Sequence, residues 1–365
     1  MEFDISHLPT VREMVSTFPM RVIQLYAPTE ENIDEFERFI TEVIAPVGIT
    51  HVTLCIYYKF EYRSHPEIVE SPYTTVAVAK RVAAVCKQFG ITVVPEIDVP
   101  AHQSRIRVDN RPLPQGMVRA YPDMQEPYSE ESSTLSVCTR HPRLRPIVFD
   151  MIDDLMDAFE TTTIHAGFDE CFDIGLCPRC KGVPPYILIS QLANDINKHI
   201  KSRGGEMWMW GDRLLDGYRI PGIVKKYESS LNGTCKAVDL ISKDIVICDW
   251  HYYEEPMGHL TPSFWVMKGF RYLACPFNSV RGCEQLVHAA YVLAESPCTL
   301  GTYLTTWSSL DKFMSLTNAK IDNYKKNGVI NQDKSKEESN IQNAGNFADY
   351  SSNIFLKMYV RPDGE

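Results

Sequence analysis

The sequence contains no apolar run close to the roughly 18–20 residues that a membrane-spanning helix needs. It also lacks an excess of basic charge: 37 Lys and Arg face 47 Asp and Glu, a formal net charge of −10. Binding to nucleic acid or to an anionic membrane surface needs clustered Lys and Arg, so neither partner is expected. The start, Met1-Glu2-Phe3-Asp4-Ile5-Ser6-His7, has neither the basic region nor the apolar stretch of a signal peptide. As written, the chain is expected to stay in the cytoplasm, unless a leader has been removed. No Gly-x-Gly-x-x-Gly follows the first strand-like run, and no internal repeat is present. Eleven cysteines are an odd number in a chain of 365 residues, whereas disulfide frameworks belong mostly to small secreted domains. Reduced thiols are expected, and Cys55, Cys248 and Cys275 sit inside apolar runs as small hydrophobes.

What is present is a march of alternating elements. Short β-branched runs predict strands over 21–26, 51–57, 91–97, 163–168, 206–210, 245–250, 271–275 and 299–306. Between them, helical spacing predicts helices over 31–47, behind a Thr29 cap, and over 75–89, stopped by Gly90. Further helices fit 143–159, 186–203, 260–268, 283–294 and 310–325, and 214–243 reads as a short helix plus loop. Eight nearly continuous hydrophobic strands, each followed by a helix, predict an α/β fold of the (β/α)₈ TIM-barrel type. A doubly wound open sheet is the rival. The barrel is assigned to residues 1–325. Two segments fall outside its rhythm: a long excursion over 100–141, rich in Arg, Pro, Ser and Glu, and a polar tail over 326–365. The tail includes Asn331-Gln332-Asp333-Lys334-Ser335-Lys336-Glu337-Glu338, and its stretch 354–360 is apolar enough to dock back.

Catalytic groups of such barrels come from the C-terminal ends of the strands and the loops that follow. The predicted third strand ends Glu96-Ile97-Asp98-Val99-Pro100-Ala101-His102, and the fourth ends His165-Ala166-Gly167-Phe168-Asp169-Glu170-Cys171. The fifth ends Trp210-Gly211-Asp212-Arg213, the sixth Asp249-Trp250-His251-Tyr252-Tyr253, and the eighth Thr305-Thr306-Trp307. Carboxylates among tryptophans suggest sugar chemistry. Indole faces pack on pyranose rings, and acids donate protons to glycosidic oxygens. Adjacent acids in an aromatic pocket repel when both are ionised, which lets one keep its proton while its neighbour stays charged. A lone Asp-Glu after a strand is most often a solvated turn, and a lone Trp is usually core. The recurrence of acids, His102 and tryptophans at about five strand ends is what outweighs that reading.

At these residues the sequence resembles glycoside hydrolase family 20, the β-N-acetylhexosaminidases. Pro95-Glu96-Ile97-Asp98-Val99-Pro100-Ala101-His102 is similar to its Pro-Glu-Ile-Asp-x-Pro-Gly-His motif, and His165-Ala166-Gly167-Phe168-Asp169-Glu170 to its His-x-Gly-x-Asp-Glu. The resemblance spans roughly residues 20–325 and looks like a short, catalytic-domain-only form. It implies a retaining exo-glycosidase in which the substrate's own 2-acetamido oxygen attacks the anomeric carbon, with no cofactor. Glu170 would be the acid, Asp169 would hold the acetamide, and His102 would tune Glu170. Trp210, Trp250 and Trp307 would wall the sugar, with Asp212, Tyr252 and Asp98 also lining the site. Of the two nearby tryptophans on strand five, Trp208 and Trp210, one is expected to face the interior and the other the outer layer.

The departures concern hydroxyl recognition. The family's strand-one Arg is missing from Gln24-Leu25-Tyr26-Ala27, with Arg63, Arg105 or Arg111 as substitutes, and Ser309 replaces an expected acid. Strand two is followed by Tyr57-Tyr58-Lys59-Phe60-Glu61-Tyr62-Arg63 in place of an acidic pair, and strand seven by Pro276-Phe277-Asn278 where Tyr and Asp are common. Two other functions stay open: a non-catalytic sugar-binding barrel, and a metal-dependent hydrolase using some of His102, His165, Asp169, Glu170 and Cys171. Cys177-Pro178-Arg179-Cys180, with Cys171 just before, has the look of a zinc knuckle short of ligands, which Cys138 or His141 would complete. His51, His65, His199, His259 and His288 have no acidic or Cys neighbours in sequence and read as surface or satisfied core residues.

Overall fold

Strands whose two faces are both buried read as continuous hydrophobic runs, and they occur in parallel sheets covered by helices. The eight strands here are β1 (Met20–Tyr26), β2 (His51–Cys55), β3 (Thr92–Val99) and β4 (Thr163–Gly167). They continue with β5 (Glu206–Trp210), β6 (Val246–Trp250), β7 (Tyr272–Cys275) and β8 (Thr299–Leu304). All neighbours are parallel, and the ring closes where β1 pairs with β8, Met20 opposite Gly301. The fold is a (β/α)₈ barrel. This is a computed structural model, and it describes residues 9–104, 106–109, 111–129, 132–220, 227–327 and 347–360. Arg105, Asn331–Glu338 and the start Met1–His7 lie outside the described residues.

Alternation along each strand divides the apolar residues between two cores. Val22, Val94, Trp208, Trp210, Val246, Cys248, Trp250, Leu273, Cys275 and Tyr303 fill the barrel interior. The opposite face of the same strands, for example Ile23, Val93, Met207, Met209 and Ile247, packs under the helices. Trp208 and Trp210 therefore point the same way, contrary to the expectation of opposite faces. Residues two apart on a strand share a face, and it is Met209 that turns outward.

The helices hold close to their predicted spans. Thr75 caps Val76–Gln88 by accepting from the Val78 N–H, and Gly90 follows at φ +67°. The first barrel helix corrects its expected cap. It begins at Ile33 behind Asn32, continues as a π turn over Ile40–Ile44, and the Thr29 hydroxyl instead accepts from Glu31 N. An additional N-terminal helix, Val11–Thr17, carries a complete capping box between Thr10 and Glu13. Helix Phe347–Tyr359 buries Ile354, Phe355, Leu356 and Met358, and Phe355 meets Phe313 edge-on. The Tyr359 hydroxyl reaches the Val22 carbonyl on β1. The 100–141 excursion contains a hairpin (Ile106–Val108 with Arg111–Leu113) and a short helix, Gly116–Ala120. No helix among the described residues is long and apolar enough to cross a membrane.

Barrel closure depends on one glycine. Gly301 sits at φ +147°, and a Cβ there would lie 1.9 Å from the Met20 carbonyl oxygen on the facing strand. Gly301→Ala is expected to cost about 1–3 kcal/mol in backbone strain, with the overlap on β1 added. A chemical-denaturation midpoint equal to that of the wild type would show that the β1–β8 seam tolerates a side chain.

Candidate active site

The C-terminal rim of the barrel gathers most of the residues singled out from the sequence. β3 leads into Asp98 and His102, and β4 into Asp169 and Glu170. His102 Nε2 lies 3.1 Å from Asp169 Oδ2, 3.6 Å from Glu170 Oε2 and 3.9 Å from Asp98 Oδ2. Strand spacing forces this proximity. Gly167 (φ +82°) brings β4 so close to β3 that a Cβ would fall 2.4 Å from Asp98 Oδ1. The Ser133 hydroxyl, from the long excursion, donates to Glu170 Oε2 at 3.3 Å.

Backbone strain concentrates at this rim. Tyr57, His102, Phe168, Glu170 and Trp307 all have φ between +46° and +79°, and each stands just past a barrel strand. Such conformations cost about 1–3 kcal/mol each in non-glycine residues and persist only where the surroundings enforce them.

At Glu170 the enforcing contact is Asp212. Asp212 Oδ2 accepts the Glu170 N–H at 3.0 Å and Arg213 Nε at 2.6 Å, while Oδ1 accepts Trp250 Nε1 at 3.3 Å. Burial pushes the Asp212 carboxyl upward and the Arg213 guanidinium opposes it. These contacts are all donors, which the ionised form fits. Arg213 is itself buried; it donates to the Tyr227 and Ser229 carbonyls and lies 4.9 Å over the Phe172 ring. Burial is also the largest influence on Glu170 and raises its carboxyl above the ordinary range. His102 opposes the rise, Asp169 and Asp212 add to it, and Arg213 opposes it. The environment thus shifts Glu170 toward its protonated form.

The aromatic residues make a continuous wall. Trp210 stacks on Tyr303 (5.4 Å, 21°) and lies 5.9 Å from Trp307, whose Nε1 donates to the Tyr252 hydroxyl at 2.7 Å. Tyr252 lies 4.9 Å from Trp250. Trp210 is fully buried and forms the floor, while Tyr252 and Trp307 are half-buried at the rim. Glu96, deep in the barrel, aims the floor by accepting Trp210 Nε1 at 3.1 Å and Gln24 Nε2 at 3.2 Å. His165 packs 4.5 Å from Trp210, and burial lowers its ring to about 3, so it is a neutral partner.

Some expectations are corrected. Arg63 does not join this group: it is exposed, beside Ser64 and His65, which bind Asp154 and Asp150 on the outer helix Leu144–Ala158. Arg111 lies exposed on the excursion's hairpin. His65 and His199 do have acidic partners, Asp150 and Asp153, brought by folding from distant sequence. Cys171 is buried under Ser136 and stands apart from the sulfur cluster of Cys177 and Cys180, where Cys138 takes its place.

Two groups escaped the sequence reading. Arg213 was passed over as a strand-end residue. His251 sits buried between Glu228 Oε2 (2.8 Å) and Asp249 Oδ1 (3.2 Å), and Glu228 Oε1 also accepts the Tyr252 N–H at 3.3 Å. The odd-numbered Asp249 and His251, alternating with Trp250, were a usable signal; Glu228, in an irregular loop, gave none.

The fold and site define a glycosidase-like barrel, and the comparisons narrow that class. Residues 57–258 match glycosyl hydrolase family 20, catalytic domain, and the chain belongs to that family. A lacto-N-biosidase from Bifidobacterium bifidum is 25% identical over 232 residues, covering 60% of this chain and 18% of the relative. A beta-hexosaminidase from Akkermansia muciniphila is 30% identical over 104 residues, covering 28% of this chain and 20% of the relative. The chain thus spans about a fifth of the length of these curated relatives. The solved chitobiase of Flavobacterium johnsoniae shares the fold, with a TM-score of 0.58 at 16% identity over 93% of this chain and 51% of that one. The beta-N-acetylhexosaminidase of Bacteroides fragilis does so with a TM-score of 0.55 at 16% identity, over 79% and 60%.

Burial would by itself lower His251, but the Asp249 and Glu228 carboxylates raise it to about 10. A raised histidine contributes fully below its unfolded value near 6.5, and the contribution disappears as pH rises through about 10. His251→Leu strands two buried carboxylates and is expected to cost about 3–5 kcal/mol at neutral pH by denaturant titration. The gap to wild type should narrow at alkaline pH. A gap that stays constant between about pH 7 and pH 11 would contradict the charged assignment.

Proposed function

We propose that the chain is a retaining exo-glycosidase that releases a terminal β-linked N-acetylhexosamine by substrate-assisted catalysis. The observation that carries this reading is the pairing of a half-buried Glu170, whose carboxyl is raised by desolvation, with Asp169, both within 3.6 Å of His102 Nε2 beside the indole wall. The acetamido carbonyl oxygen attacks the anomeric carbon, the glycosidic C–O bond breaks, and the leaving oxygen takes the Glu170 proton. The product of that step is an oxazolinium ion. Water then adds to the anomeric carbon as the bond from that carbon to the acetamido oxygen breaks, and the water gives a proton to Glu170. Asp169 accepts the acetamide N–H and offsets the developing positive charge, which is worth most in a water-poor site. His102 acts between the two carboxyls with Asp98 3.9 Å from its Nε2, Trp210, Trp250, Tyr252 and Trp307 enclose the acetamide and ring, and Asp212 holds the Glu170 backbone. The catalytic unit is the barrel with helix Phe347–Tyr359 seated on it.

A second reading, a barrel that binds such sugars without hydrolysing them, has one observation behind it. Gln24 takes the place of the family's strand-one Arg, and its side chain is engaged inside the barrel with Glu96 and the Thr306 N–H. An aryl β-glycoside panel with and without the 2-acetamido group separates the readings. The proposal expects turnover confined to acetamido sugars. Turnover indifferent to that group points to a metal-dependent or other hydrolase, and tight binding of an oxazoline mimic without turnover points to the binding protein.

Glu170→Gln should lower kcat/KM by about 10²–10⁴-fold, the usual share of a general acid. Asp169→Asn should lose about 10²–10³-fold. Because Glu170 is raised, kcat/KM should fall with increasing pH only above the ordinary glutamate range, and the Gln variant should lack that limb. Its thermal midpoint near neutral pH should equal or exceed the wild type's, since ionising a buried acid with a raised pKa costs stability. Near-wild-type turnover by Glu170→Gln would remove the acid assignment.

A further inference from the structure

Beneath the rim, three cysteines and one glutamate from separate segments converge out of solvent. Cys177 and Cys180 come from the turn after β4, in which Cys180 N donates to the Cys177 carbonyl. Cys138 and Glu126 come from two arms of the 100–141 excursion, joined by the Gln125–Val137 antiparallel bridge. Their potential ligand atoms all lie within 4.8 Å of one another, and all four residues are buried. Cys138 Sγ is 3.3 Å from Cys177 Sγ and 3.5 Å from Cys180 Sγ. Glu126 Oε2 accepts the Leu176 and Cys177 N–H groups, while Glu126 Oε1 is buried without a hydrogen-bond partner.

We propose that Cys138, Cys177, Cys180 and Glu126 form a structural zinc site that clamps the long excursion to the loop following the acid-bearing strand. The inference stands independently of the glycosidase reading. A tetrahedral zinc with sulfurs about 2.3 Å away holds them about 3.7 Å apart, a few tenths of an ångström from the spacing found. A disulfide needs S–S near 2.05 Å, and two thiols competing for Cys138 would leave one unpaired. The orphaned Glu126 oxygen is the observation that three packed thiols leave unexplained. A buried carboxylate oxygen needs a partner, and a cation between it and the sulfurs supplies one. Three sulfurs and one oxygen select a thiophilic d¹⁰ ion over Mg²⁺ or Ca²⁺. Arg140 Nη1 donates to the Arg179 carbonyl at 2.9 Å and so ties the Cys138 arm to the Cys177–Cys180 turn. The same excursion carries Ser133 to Glu170 and the Ser129 N–H to Asp173, so the clamp would fix the wall of the site.

The test is zinc content and zinc affinity of the full chain, purified reduced and without an affinity tag. Elemental analysis should give a single zinc per chain, and the zinc-stripped protein should rebind zinc alone in competition with a chromophoric chelator. Cobalt substitution should add thiolate charge-transfer absorption. Cys138→Ser and Cys180→Ser should weaken zinc binding by at least about 100-fold, whereas Cys171→Ser should leave it unchanged. Glu126→Gln should weaken it less than the cysteine changes. Should a variant fail to fold, the wild type alone decides: its thermal midpoint must rise with zinc concentration. Reduced wild type that takes up no zinc, uptake unaffected by Cys138→Ser, or an intact mass showing a disulfide in this cluster would each overturn the proposal.

Discussion

The buried carboxylate of Asp212 joins three parts of the rim that arrive from different strands. It accepts the backbone N–H of Glu170 from beyond β4, the indole N–H of Trp250 from β6, and the guanidinium of its own neighbour Arg213. A hydrogen bond from a strained backbone N–H can hold a left-handed residue in place only if the acceptor cannot move. Arg213, locked by two carbonyls and the Phe172 ring, gives Asp212 that fixity. This anchor helps hold Glu170 at φ +48°, while Ser133 and His102 meet its carboxyl.

The barrel interior serves the same end by unequal filling. Its lower half is packed with Val22, Val94, Val246 and Trp208, while the upper half admits a hydrogen-bonded polar set. Glu96, Gln24 and Trp210 form that set, and Glu228, His251 and Asp249 form a second one on the outward side of β6, where Asp249 also accepts the Thr261 hydroxyl. Both sets position aromatic side chains, Trp210 directly and Tyr252 through its backbone N–H. Charge buried next to indoles thus stiffens a wall made of rings that would otherwise pack loosely. The same desolvation that strengthens these contacts raises the Glu170 carboxyl above its ordinary range.

Much of this was legible in the residues themselves. Strand runs such as 206–210 and helix stripes such as Val78, Val82 and Val85 reflect local periodicity, which depends only on pleat and helix geometry. Pro95–His102 and His165–Glu170 could be read as rim segments because a barrel puts every strand's end on one face. The helix Val11–Thr17 went unread, although the Thr10–Glu13 capping box is a local signal that could have marked it. Arg63 misled because sequence distance from β2 says nothing about which way a loop folds; Ser64 and His65 drew it to the outer helix. The Trp208 and Trp210 misreading was one of parity, correctable from strand geometry alone.

The sequence by itself determined the alternation of strands and helices, the two acid-bearing motifs and the membership of tryptophans at the rim, because each is a pattern within one segment. Only the tertiary structure decided which distant groups meet: Asp212 with the Glu170 N–H, Glu228 with His251, and Cys138 and Glu126 with Cys177 and Cys180. Those contacts rest on strand register and loop paths over separations of tens of residues. No local propensity encodes them, since they exist only once the ring of strands has closed.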